Sequence, residues 1–343
     1  MKTQKTLEEG ASSVVKVSAD AVDAQNDGKL VYLTGSATSE GALSDDQFKV
    51  TSEALKLRRK VEVYQWKEEK KTETKKKLGG GEETVTTYDY VKEWSDRPID
   101  SSNFDKSKEY KNPKPALSEA EWVKDTIKLE AFMLSPGLAG QIDNFSALQA
   151  PAPAELPAEI AGKKLHKDGS GFYLGVDPAT PAIGDMRVSH EAAPPGAVSV
   201  IAVQKGNSFE PFTAKAGGTI EMLSSGAVTA ETMFAEAHAS NRMLTWGLRL
   251  LGVVLMFIGF SLLFRPLSVL ADVVPFIGNI VGVGTGIVAL LLSLPLSLLV
   301  ISVAWIFYRP LVGVPLAIAA VVGFAFLIRK LMANKKSQAS LAI

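Results

Sequence analysis

The stretch "LLFRPLSVL", Leu262 to Leu270, has a near copy in "IFYRPLVGV", Ile306 to Val314. In both, an aromatic residue closes a long apolar run, an arginine follows, and Pro-Leu opens the next run. The copies stand 44 residues apart inside the most hydrophobic third of a 343-residue chain. Proline is tolerated at the first position of a helix, because the N–H it lacks has no intrahelical partner there. Arginine beside an aromatic ring suits the headgroup boundary of a bilayer, where aromatic rings gather. Each tetrad therefore reads as a corner where one span ends and the next helix starts. Phe264, Arg265 and Pro266 form the first corner; Tyr308, Arg309 and Pro310 form the second.

The runs around these corners have the lengths that a bilayer demands. Leu244–Phe264 is 21 residues whose only charge is Arg249, one turn inside the polar end. At about 1.5 Å per residue it crosses a hydrocarbon core of about 30 Å. Arg249 can reach back to the headgroups, and Trp246 lies at the depth that indoles favour. Val273–Phe307 is 35 residues without a charge, about 52 Å as one helix and too long for a single span. The expected division is an interfacial or re-entrant segment over 266–280, presenting Leu267, Leu270, Val274 and Ile277 at helical spacing, followed by a span over 282–308. A last span over 311–328 ends at Arg329-Lys330.

Charge is distributed unevenly behind a balance of 37 bases against 37 acids. From Leu244 onward there are seven bases and one acid, Asp272, which leaves 30 bases and 36 acids in 1–243. A mildly acidic body argues against nucleic acid as a partner. The basic tail, 329–343, is expected on the cytoplasmic side, because lysine and arginine are retained there. Three spans then place the body on the non-cytoplasmic side. The first residues, "MKTQKTLEEGASSVV", lack the apolar core of a signal peptide, so translocation needs another element.

The body reads as β-rich. In "LKLRRKVEVYQWKEE", Leu55–Glu69, the residues Leu57, Val61 and Val63 alternate with Arg58, Lys60 and Glu62, the period of a strand with one covered face. "ETVTTYDYVKEW", Glu83–Trp94, is rich in strand-forming residues, and Gly79–Gly81 mark a reversal between the two. Folded about Gly80, this hairpin would face Trp66 with Trp94 and Glu68 with Lys92. Further strands are expected at Lys29–Thr34, Val123–Phe132, Gly184–His190, Val198–Gln204 and Thr219–Leu223, and a short helix opened by Ser-Pro within Leu134–Phe145. The Pro/Ala-rich segment 149–163 reads as a linker between a β-rich lobe, 1–148, and a second lobe, 164–243, which ends in a helix capped by Thr229. The fold class is thus α+β, a β-rich extramembrane domain followed by an α-helical transmembrane anchor over 244–328.

Signatures of chemistry are sparse. With no cysteine, thiolate catalysis, disulfides and cysteine-bound metals are excluded. His166, His190 and His238 are far apart and form no metal-binding pair. No G-x-S-x-G occurs. "GVGTGI", Gly282–Ile287, lacks the preceding strand and the following acid of a dinucleotide loop, and reads as packing glycines or a helix break. No catalytic residue, cofactor or metal is assigned, and the chain reads as a non-enzyme. Asp272 and the glycine-rich stretch leave a channel or transporter subunit as an alternative, with a membrane-bound binding module as a third reading.

A resemblance sharpens this. "DGKLVYLTG", "LKLRRKVEVYQWKEE", "YKNP", "LSPGL" followed by "IDNF", "GDMRVS", "NRMLTWGLR" and "FYRPL" resemble, in order, the LUMA family (transmembrane protein 43). The resemblance implies four spans, one before a large lumenal domain and three after it. It also implies self-association and a scaffolding role. For animal members it implies residence in the endoplasmic reticulum and inner nuclear membrane, with emerin and lamins as partners. Family members carry a span just before the segment matching "KTLEEG", and an upstream span here would supply the translocating element. The alanine-rich, cysteine-free composition suits a bacterial member in a cell membrane. There the expected partners reduce to the lipid bilayer, further copies of the chain and other membrane or extramembrane proteins.

Overall fold

Alternating apolar residues become strands wherever a second layer can cover them. The computed structural model describes residues 2–76, 82–151, 156–271, 275–306 and 310–339. Helix α1 spans Lys2–Ser13. The principal strands are β1 (Leu30–Thr38), β2 (Lys56–Lys76), β3 (Glu82–Ser95), β4 (Ala120–Val123), β5 (Lys163–Asp168), β6 (Gly171–Leu174), β7 (Met186–Ala193), β8 (Gly196–Lys205) and β9 (Met222–Ser225). A short helix α2, Pro136–Gly140, precedes β5, and three long helices follow β9: α3 (Ala230–Ala271), α4 (Pro275–Ile306) and α5 (Pro310–Ala339).

Two compact units result. The first is the sheet-built body, Lys2–Lys71 with Thr87–His238. The second comprises residues from Ala239 onward together with the distal hairpin, Thr72–Thr86. Helix α3 starts in the first and continues unbroken into the second.

Within the body, one sheet is centred on β8 paired antiparallel with β1, from Gly196 opposite Ala37 to Val203 opposite Leu30. Its faces are both covered. Val31, Leu33, Val198 and Val200 pack with Leu129, Phe132, Leu138 and Ile142. On the other face Leu30 and Ile201 meet Leu7 of α1 and Met233 and Phe234 of α3. Burial on both faces explains why "VSVIAVQ" in β8 has no polar alternation. The second sheet runs β5-β6-β7-β2-β3, with β4 also on β2. Its core joins Leu57, Val61 and Val63 of β2 to Phe172, Leu174, Met186 and Val188. Each such side chain contributes about 1.5–3 kcal/mol on burial.

Several expectations are revised. The linker reading of 149–163 predicted two lobes, but strands from either side of it share both sheets: β1 pairs with β8 and β2 with β7. The body is therefore one unit, because ladder pairing over long sequence separation overrides local composition. The strand expected at Val123–Phe132 is three short pieces, Ala120–Val123, Lys128–Leu129 and Phe132–Met133. Ser135 caps α2 as its Ser-Pro start implied, and Thr229 accepts from the amide of Thr232. The polar α1 was not foreseen.

The long hairpin exists, but its pairing is shifted by two residues. Tyr64 packs on Trp94 at 5.1 Å, Tyr90 donates to Glu68 at 2.7 Å, and the hydroxyls of Thr72 and Thr86 stand 3.5 Å apart. Each pair is equidistant from residue 79. A two-residue slip keeps every side chain on its original face, so alternation alone could not distinguish the registers. The observed one places the Lys92 ammonium over the Trp66 ring at 4.9 Å. Because the chain has no cysteine, introduced thiols report the register directly. Thr72→Cys/Thr86→Cys is expected to oxidise to an intrachain disulfide in a free-thiol assay, whereas Thr74→Cys/Thr86→Cys, which fits the shifted alternative, is expected to stay reduced.

Candidate functional site: the apolar helices and the buried ionic cluster

A helix of 42 residues is long for any single packing role, and most of α3 is apolar. Its stretch Ala230–Leu263 and the stretch Ala289–Ile306 of α4 are each long and apolar enough to cross a membrane, and Pro310–Phe326 of α5 is a shorter apolar run. No residue in the most apolar window of α3 is buried. Leu244, Leu248, Leu251 and Leu255 all face outward. In water this surface would be untenable; in lipid it is the expected exterior.

The anchor residues partly assemble. Trp246 and Arg249 are one turn apart on α3 and share a face. The Arg249 guanidinium lies over the Trp246 ring at 4.8 Å and over the Trp305 ring, near the end of α4, also at 4.8 Å. The start of the apolar part of α3 thus meets the end of α4, so the two form an antiparallel pair. The Ser297 hydroxyl donates to Met256 Sδ at 3.3 Å, while Ser293 and Ser302 donate to carbonyls of their own helix. These bonds satisfy hydroxyls that hydrocarbon could not. Between α3 and α4 runs a groove of about 550 Å³, with Arg249, Gly252, Met256, Ile301 and Trp305 among its lining.

The two corners behave differently. Pro310 is the first residue of α5, as its tetrad implied. At the other copy, α3 continues through Phe264, Arg265 and Pro266 to Ala271, and their side chains lie outside what is described. The separate segment expected over 266–280 is therefore divided between α3 and α4, and "GVGTG" lies within the helical α4 rather than breaking it. Tyr308, Arg309 and Asp272 lie outside the described residues. Arg329 is exposed on α5, which carries on past Lys330 to Ala339, so the basic tail is helical over most of its length. The second corner needs a glycine: a Cβ at Gly313 would come within 2.5 Å of the Ile306 amide nitrogen.

The body holds a different kind of centre. Asp45, Arg59 and His190 are only 2%, 8% and 3% exposed. Arg59 Nη1 donates to both Asp45 oxygens at 3.2 and 2.9 Å and to Gln47 Oε1 at 3.0 Å. His190 Nε2 is 2.8 Å from Asp45 Oδ2. The Phe48 ring packs on His190, with centroids 5.4 Å apart, and lies under Arg59. Burial would raise the Asp45 pKa, but the His190 hydrogen bond and the Arg59 charge outweigh it and hold the carboxyl below its ordinary value. The cluster is sealed and internally satisfied, so it fastens the Leu43–Asp45 strand to β2 and β7 rather than presenting groups to a substrate. His190 was expected on a strand; its partners were not. His166 lies in β5 and His238 in α3, and among the described residues no group of three or more histidine or acidic residues is placed to hold a metal.

Asp45→Asn leaves a buried guanidinium without its anion and is expected to lower stability by about 3–5 kcal/mol in denaturant titrations at pH 7. The Asp45 contribution is fully present above the ordinary value of 3.8 and is lost as pH falls below it. The variant is therefore expected to lose less stability than the wild type over that acid range.

Comparison with known proteins places these features. The chain matches the transmembrane protein 43 family over residues 63–310. It is 35% identical over 325 residues to transmembrane protein 43 of Homo sapiens, covering 91% of this chain and 79% of that one. The Mus musculus protein is likewise 35% identical, over 323 residues and the same shares. The transmembrane protein 43 homolog of Drosophila melanogaster is 27% identical over 323 residues, 89% of this chain and 81% of its own. No solved structure matches. By extent and identity, together with its apolar helices, the chain belongs to the transmembrane protein 43 (LUMA) family of membrane proteins.

Proposed function

We propose that this protein is a non-enzymatic scaffold of the membrane, which self-associates through its helices and organises other proteins or the bilayer around its β-built body. The outward apolar face of α3, on which no residue of the central window is buried, carries this reading. Gly247 and Gly259 add to it: a Cβ at either meets nothing within 4 Å. Small residues of this kind let helix backbones approach closely in lipid, where packing rather than the hydrophobic effect drives association. The body supports the same role, since its most buried ionic cluster is spent on holding strands together. In this reading the body is on the non-cytoplasmic side and the basic C-terminus is cytoplasmic, by the retention of basic residues. In a bacterium the membrane is the cell membrane.

Two measurements check it. Light scattering of the detergent-solubilised chain at micromolar concentration is expected to give a mass of more than one copy; a monomer at that concentration overturns self-association. Protease added outside sealed, right-side-out vesicles is expected to degrade the body and leave an epitope at the C-terminus intact. The reverse pattern overturns the orientation.

A further inference from the structure

Arg249 is a cation facing an apolar groove, and among the described residues no acid pairs with it; its neighbours are the two indoles. From Leu244 onward the chain supplies one acid against seven bases, so these helices themselves offer little counter-charge. Two rings hold the guanidinium through their π faces and accept none of its N–H bonds. Among the described residues no oxygen accepts from its planar fork of donors, whose geometry matches an oxyanion with two oxygens. Beyond it the groove is hydrocarbon-like. Val253, Met256 and Ile301 line it, the Ser297 hydroxyl is occupied by Met256, and Thr245 donates to the Asn241 carbonyl at 2.7 Å. At Gly252 a Cβ would meet nothing within 4 Å, so the channel is open there. Its volume, about 550 Å³, falls within the roughly 300–1,000 Å³ of ligand sites.

We propose that this groove between α3 and α4 is a binding site for one acidic phospholipid, its phosphate held by Arg249 and an acyl chain lying along Gly252, Val253, Met256 and Ile301. Arg249, one turn inside the polar end of the span, is within reach of the headgroup layer, and the groove descends from it toward the middle of α3. The site does not depend on self-association: a monomer that bound the lipid would leave it intact.

Native mass spectrometry of the full chain tests it, with phosphatidylglycerol and phosphatidylcholine added in equal amounts to the detergent. The wild type is expected to retain one phosphatidylglycerol over phosphatidylcholine by about fivefold, the preference that one basic residue confers near a headgroup. Arg249→Gln is expected to bring the ratio to about one, Arg249→Lys to keep part of it, and Gly252→Leu to reduce retention of both lipids by filling the channel. Arg242→Gln removes a nearby base that does not line the groove and is expected to leave the ratio unchanged. Thermal unfolding by circular dichroism confirms that each variant is folded. Equal retention of the two lipids by the wild type overturns the proposal. So does a preference that survives Arg249→Gln, or one that Arg242→Gln removes equally, since either would show only general attraction to a basic surface.

Discussion

The architecture of the body depends on how β7 hands over to β8. The two strands are separated by Pro194 and Pro195, which are exposed and belong to neither strand. Proline has no N–H to give to a ladder, so the chain cannot continue its pairing with β2 and leaves for the other sheet. There β8 takes β1 as its partner, in a register of eight residues. That one exchange ties the early strands to the late ones in both sheets at once. The ionic cluster reinforces it from the side, since Arg59 of β2 and His190 of β7 share the carboxylate of Asp45.

The helical unit obeys a different constraint. Lipid offers no hydrogen bonds to a backbone, so the chain there is helix wherever it is described, and Ser293, Ser297 and Ser302 of α4 bond to carbonyls of their own helix or to sulfur. Arg249 is the exception that shows the rule's cost. Its charge is carried between Trp246 and Trp305, on two different helices, so the residue that marks the boundary of the span also fastens α3 to α4. The family assignment, the outward face of α3 and this fastening belong to one picture, a membrane protein whose apolar helices turn their exposed faces outward and are fastened to one another at an arginine.

Much of this was legible in the residues. Strand positions followed from alternation in Leu57, Val61 and Val63, and the α5 start from Pro310, because both signals are local. What escaped was relational. The pairing of the long hairpin was displaced by two residues, a shift that leaves facing unchanged and exchanges one plausible aromatic pair for another. Asp45 and His190 are 145 residues apart, and nothing in either neighbourhood announces the other. Trp305 sits in an apolar run as Trp246 does, but its role depends on which turn of α3 it meets. The Pro/Ala-rich segment at 149–163 has the composition of a linker, and composition says nothing of which strands will cross it. The tetrads at 264–267 and 308–311, alike but for Phe264 and Tyr308, also end differently: α5 begins within the second, while α3 runs through the first. A proline permits a helix start without compelling one.

The interleaving of early and late strands has a consequence for the order of events at the ribosome. While β1 and β2 are being made, β8 and β7, the strands that pair with them along eight residues each, lie well over a hundred residues downstream, so the first half of the body emerges with open strand edges and uncovered apolar faces. Closure waits for β7, β8 and finally β9, which pairs with β8 just before α3 begins. Such distant pairing makes for slow, late folding. The growing polypeptide must therefore be shielded for almost the entire synthesis of the body, and the moment that completes its sheets is also the moment at which the apolar α3 emerges.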